Sequence, residues 1–157
     1  MQTAEPERGV RAELYVRNEL PPPALNCADA VHFQLEDLDA RDLLAGVDRT
    51  EWDKRAPLDA LDGAVRDTYL SFSAWADDRG VRLTPFFTTR ECYSAAHGGM
   101  VDWLVVPALC LAVYDGDELA AVYPHANDTD TYTVDDGVAS LRNTLLSGGD
   151  GAAVTVD

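Results

Sequence analysis

The stretch from Leu104 to Tyr123 limits what this chain can fold into more than any other. Leu104-Val105-Val106-Pro107-Ala108-Leu109-Cys110-Leu111-Ala112-Val113-Tyr114 is a near-continuous apolar run, followed by Asp115-Gly116-Asp117 and then by Glu118 to Tyr123. Two apolar runs joined by an acidic-glycine turn form a β-hairpin. A strand without polar alternation is buried on both faces, so the sheet that holds it must be covered on both sides.

The rest of the chain supplies the cover. Residues 10–17 alternate, with Val10, Ala12, Leu14 and Val16 on one face and Arg11, Glu13, Tyr15 and Arg17 on the other; that is the period of a strand. Asn18 to Leu25 contains three consecutive prolines, which make a stiff loop. Asn26 then caps a helix carrying Val31, Leu35 and Leu38, and Gly46 ends or turns the chain before an extended segment at 47–54. A second helix, 61–79, presents Leu61, Val65, Tyr69, Phe72 and Trp75, with Gly80 placed for a left-handed C-terminal cap. Residues 81–93 read as extended and broken by Pro85, and 95–100 as flexible. Thr133 and Asp136 form a capping box for a last helix with Val134, Val138, Leu141 and Leu145 on one side. The expected organisation is a disordered lead at 1–9, one domain at 10–146 and a flexible tail at 147–157.

Charge narrows the setting. The 157 residues carry 28 acidic and 12 basic side chains, a net charge of −16, and Lys54 is the only lysine. Such like charge repels itself in dilute salt. At about 1 M salt the Debye length falls to ~3 Å and the repulsion is screened. The composition resembles that of proteins from halophilic archaea, and a salt-rich cytoplasm is the expected location. The chain has no apolar run long enough to span a membrane and no signal-like N-terminus. Binding a phosphate backbone needs clustered Lys and Arg, so nucleic acid is not an expected partner. The three cysteines do not suggest a disulfide scaffold.

The element order is β-α-β-α, an extended insert, then β-β-α. Together with the segment VVPALCLAVYDGDELAAVYP, this resembles the thioredoxin fold: a mixed α/β sheet with helices on both faces. The resemblance implies that Pro107 is a cis-proline beside the site and that chemistry would start at the first helix. Thioredoxin chemistry needs Cys-x-x-Cys there, so that the second thiol can resolve the mixed disulfide. The sequence reads ELPPPALNCADA, with Cys27 alone. Dithiol oxidoreduction is therefore not expected. The ELYVR strand, the PFF segment and the LCLAVYDGDEL hairpin also resemble a set of haloarchaeal proteins, some described as helix-turn-helix proteins. A recognition helix offers basic and polar side chains to DNA. Here Arg66 and Arg79 stand beside Asp62, Asp67, Asp77 and Asp78.

Several residues remain as candidates. Cys27, in the first turn of a helix, would be activated by the helix dipole, or else is a small apolar residue packed under the loop. Cys110 lies in the buried strand and belongs to the core. Cys92 and His97 share a C-x4-H spacing, but a structural zinc site wants four ligands, so no metal or cofactor is expected. His32 reads as a boundary histidine, and His125 as part of a polar loop. The DGD turn and the Asn127–Thr131 run look like calcium-loop fragments without the full ligand pattern. Adjacent Phe86 and Phe87 cannot both point inward on a strand; with Trp103 they are the candidate surface for a protein partner. The expected function is a non-catalytic thioredoxin-like binding or regulatory module. The alternatives are a single-thiol enzyme or sensor using Cys27, and a transcriptional regulator with a patch from Arg49, Lys54 and Arg55.

Overall fold

The computed structural model describes residues 9–57, 64–96 and 98–147. β1 (Val10–Arg17) runs as its alternation dictates, with Ala12, Leu14 and Val16 at most 1% exposed. α1 (Pro22–Ala40) starts earlier than the sequence suggests. Pro21 is its N-cap, and prolines fill the first helical positions, where the missing N–H has no partner to lose. Asn26 is therefore inside the helix and caps nothing. Its end also differs: Asp42 takes the left-handed conformation (φ 61°), and the Asp42 and Leu43 amides donate to Asp39 and Leu38. Gly46 instead opens β2 (Gly46–Trp52), followed by β3 (Arg55–Pro57).

α2 (Ala64–Arg79) ends as expected, with Gly80 at φ 73°. The Gly80 amide donates to Asp77 and the Val81 amide to Ala76, the paired bonds of a Schellman cap. The expected first turn at 61–63 lies outside the described residues. β4 (Thr88–Ser94) and β5 (Gly99–Val105) are antiparallel partners, so the stretch expected to be flexible is the connection of a hairpin. β6 (Leu109–Asp115) and β7 (Glu118–Tyr123) flank the acidic turn, with Gly116 at φ 65°. β8 (His125–Ala126), β9 (Thr131–Tyr132) and α3 (Val134–Ser147) complete the chain.

The apolar run from Leu104 to Tyr114 is not one strand. Its first residues finish β5 in a three-stranded sheet of order β3-β5-β4, and Leu109 begins β6 in a four-stranded sheet of order β2-β1-β6-β7. The switch at Val106–Ala108 is held by backbone bonds: the Val106 amide donates to Lys54 and the Arg17 amide to Ala108. Pro107 sits in this crossing. The cis peptide bonds among the described residues precede Pro85 and Pro124, so a cis bond at Pro107 is ruled out. The segment expected as an extended insert forms the β4–β5 hairpin, so the chain enters β6 from strand β5.

In the larger sheet β1 is parallel to β2 and antiparallel to β6, and β6 is antiparallel to β7. Tyr15, on the opposite face of β1 from Leu14, meets the edge of Phe72 at 5.9 Å and so places α2 on that face. α1 and α3 pack on each other and on the strands, and cover the face of Leu14. Burial of Cys110 to Val113 on both faces of β6 follows. Trp52 of β2, Tyr69 and Phe72 of α2, and Phe87 just before β4 form an aromatic cluster of edge-on and tilted pairs, with centroids 5.6–6.1 Å apart. No helix among the described residues is long and apolar enough to cross a membrane.

Candidate functional site

A concavity lies at the far end of α2, between that helix, the β8–β9 hairpin and α3. Its walls are set by local bonds. Trp75 Nε1 donates to the Ala120 carbonyl at 3.1 Å and pins the last turns of α2 to β7. Arg82 and Ala126 exchange backbone bonds of 2.8 and 2.9 Å, which tie the helix exit to β8. Asn127 Oδ1 accepts from the Thr129 and Asp130 amides at 2.9 and 2.7 Å, closing the β8–β9 turn. This is a side-chain-capped turn, which accounts for the calcium-like appearance of that run. Thr133 and Asp136 then form the expected reciprocal box: the Thr133 amide donates to Asp136 at 2.9 Å, and the Asp136 amide to Thr133 Oγ1 at 3.2 Å.

The space enclosed is about 850 Å³, within the roughly 300–1,000 Å³ of small-molecule sites. His125 forms its floor and is only 6% exposed. Its ring lies 5.3 Å from Trp75, 5.1 Å from Tyr123 and 5.0 Å from Tyr132. Nδ1 is 2.6 Å from the Val122 carbonyl. A carbonyl can only accept, so Nδ1 carries the proton, and Nε2 of the neutral ring is an acceptor. Nε2 has no hydrogen-bond partner among the described residues. Burial holds the imidazole pKa below its ordinary 6.5, against an opposing pull from the Val122 carbonyl. Neutral His125 is thus the working form near pH 7.

Around this floor, α3 contributes Ser140, Asn143 and Thr144 from one face, three and four residues apart. Arg79 brings the one cation, its guanidinium 5.7 Å from the Trp75 ring centre. The carboxylates present, Asp130 and Asp136, are already engaged by Thr129 and Thr133. A planar acceptor, aromatic walls and neutral hydroxyl and amide groups equip the cleft to hold a ligand by stacking and hydrogen bonding.

The residues singled out from sequence are elsewhere. Cys27 is a free, exposed thiol. It is the sixth residue of α1 rather than part of the first turn, because the helix starts at Pro22. It is therefore beyond the unsatisfied amides that would activate it, and it is not packed under a loop. Cys110 is fully buried, and burial pushes its thiol pKa up, as a core cysteine requires. His32 is half-buried, 3.2 Å from Glu36 and 3.1 Å from Arg49. Cys92 is half-buried on β4, and His97 lies outside the described residues. Among the described residues no group of three or more His, Cys, Asp or Glu is placed to hold a metal.

The expected partner surface fails in part. Phe87 is fully buried and Phe86 packs against the core, because the turn before β4 lets both rings reach inward. Trp103 is half-exposed, with the Arg55 guanidinium 5.3 Å from its ring centre and Arg90 directly opposite in register. The patch suggested for DNA is likewise divided: Arg49 pairs with Asp29 at 3.0 Å on the other sheet, away from Lys54 and Arg55.

A family model described as a helix-turn-helix domain matches residues 4–145. No curated protein and no solved structure matches the chain. The described residues contain no two helices joined by a short turn: α1 and α2 are separated by β2 and β3, and α2 and α3 by six strands.

Proposed function

The chain belongs to the helix-turn-helix domain family, and on that premise we propose that it is a non-catalytic binding module of a regulatory protein in a salt-rich cytoplasm. Its larger sheet, ordered β2-β1-β6-β7 with one parallel and two antiparallel pairings, is read as thioredoxin-like. The observation that carries the proposal is the His125 cleft. It offers an uncharged acceptor whose other nitrogen is held by a backbone carbonyl, with no carboxylate to orient it as a catalytic base is oriented. Another protein would receive the regulatory signal. The test is to incubate the protein at substoichiometric amounts with a pool of cytoplasmic small molecules in molar KCl, then release and identify whatever remains bound. A ligand recovered unchanged, with the pool undepleted, is the expected result. Turnover of any pool component overturns it, as does Cys27-dependent acceleration of thiol–disulfide exchange relative to Cys27→Ser.

A second reading, direct contact with nucleic acid, is favoured by one observation besides the family's description. Arg55 and Arg90 are placed about the Trp103 ring and, like Lys54, Arg17, Arg79 and Arg142, make no ion pair among the described residues, whereas Arg11, Arg41, Arg49, Arg66 and Arg82 each do. Arg55 and Arg90 flank Trp103, and aromatic-plus-cation surfaces bind nucleic acid strands. Three cations against a net charge of −16 give a weak site. Loss of binding to a DNA fragment in an Arg55→Ala, Arg90→Ala variant would support this second reading, and absence of binding at every salt concentration would remove it.

A further inference from the structure

We propose that the His125 cleft is a site for an uncharged nucleoside or free nucleobase, a planar nitrogen heterocycle that donates a ring or exocyclic N–H to His125 Nε2. This rests on the binding-module reading above and names its ligand class.

The chemistry of the walls selects this class step by step. Nε2 makes no hydrogen bond among the described residues and is not one of their buried, unpartnered polar atoms, so it is an acceptor open to the cleft, and a ligand that carries an N–H or O–H on an edge that can enter pairs with it. The floor is aromatic. Tyr132, the half-exposed ring of the group, and the planar guanidinium of Arg79 flank the opening, and both accept a flat ring by stacking. A saturated sugar alone would use neither surface fully. On the α3 side, Ser140, Asn143 and Thr144 present neutral hydroxyl and amide groups on consecutive positions of one helical face. These can pair with both donors and acceptors, as the hydroxyls of a ribose or the polar edge of a base require. Charge excludes the phosphorylated forms. Arg79 shares the lining of the cleft with Asp130 and Asp136, within a chain of net charge −16, so a nucleotide's phosphate would meet two carboxylates there beside one cation.

The test is calorimetric titration of the full chain in molar KCl with adenosine, guanosine, cytidine and uridine, each separately, alongside ribose and AMP. At least one nucleoside binds, ribose binds at least ten-fold more weakly, and AMP no more tightly than adenosine. His125→Phe keeps the ring in its aromatic surroundings but removes the acceptor, and it weakens binding ten-fold or more. Ser140→Ala, a substitution on a half-buried helical position that the fold tolerates, weakens it several-fold and serves if His125→Phe unfolds. The proposal is overturned if no nucleoside binds, if ribose binds equally well, if AMP binds more tightly than adenosine, or if neither substitution alters affinity. Should the pool experiment return a different unchanged ligand, this proposal falls while the binding-module reading stands. Should a nucleoside bind and be converted, the binding-module reading falls.

Discussion

Replacing Gly137 by alanine sets two known effects against each other at one position. Gly137 lies in the first turns of α3, where alanine is favoured over glycine by about 1 kcal/mol on helix propensity alone. The structure opposes that gain. A Cβ at 137 would stand 2.6 and 2.8 Å from Cγ and Cε2 of the Tyr123 ring, and closer still to Cδ2, where carbon atoms pack at about 3.5–4.0 Å. The ring cannot swing aside, because Tyr123 is 2% exposed and packed against His125 at 5.1 Å. Either the ring or the whole of α3 must shift by about 1 Å, an overpacking cost of roughly 1–3 kcal/mol. With the ring held in place the cost falls in the upper part of that range, about 2–3 kcal/mol, so packing outweighs propensity, and Gly137→Ala should lose about 1–2 kcal/mol, lowering Tm by roughly 2–8 °C for a chain of this size. Thermal unfolding followed by circular dichroism in constant molar KCl measures it. Ala139→Gly, on the exposed side of the same helix, provides the propensity effect alone, a loss of about 1 kcal/mol. A Gly137→Ala protein as stable as wild type, or more so, would show that Tyr123 and α3 are not in close contact.

Other consequences are equally open to measurement. The His125 pKa is depressed in the folded chain, so the unfolded state binds more protons just below pH 6.5; stability should be full above that pH and decline as pH falls toward the folded-state pKa, a decline that His125→Phe abolishes. Trp75→Phe removes the 3.1 Å bond to the Ala120 carbonyl and should cost about 1–2 kcal/mol in denaturant unfolding; an unchanged midpoint would mean that bond is not made. Lowering KCl from about 1 M to 0.1 M extends the Debye length from ~3 to ~10 Å, and with a net charge of −16 the melting temperature should drop; a rise would remove the salt-adapted reading. Cys27→Ser changes an exposed side chain and should shift stability by no more than about 0.5 kcal/mol.

Elements whose signal is local were legible in the sequence. The alternation of β1, the Asp115–Asp117 turn, the Gly80 cap and the Thr133–Asp136 box each depend on residues within a few positions, and each is where the pattern puts it. The misread features depend on neighbours distant in sequence. Composition alone cannot tell that the apolar run breaks at Pro107, because both halves are buried, but in different sheets. The prolines at 22 and 23 suggested a loop, although the same residues are favourable in a first helical turn. The cleft was hardest to see. His125 follows a buried strand directly, a hint that it is itself buried, yet its ring partners Trp75 and Tyr132 and the α3 hydroxyls converge only once α2, the β8–β9 hairpin and α3 are assembled.

The place of β1 in its sheet also governs when the protein can finish folding. One edge of that strand is satisfied by β2, soon after it in the chain, but the other pairs Val10 with Asp115 and Val16 with Leu109, separations of 105 and 93 positions. At about 5–20 residues per second of synthesis, a growing polypeptide keeps that edge unsatisfied for on the order of 5–20 s before its mate leaves the ribosome. During that interval the nascent N-terminal half offers an open strand to any neighbour, and the charged side chains Arg11, Glu13 and Arg17 along it are the kind of feature that discourages pairing with another copy of itself.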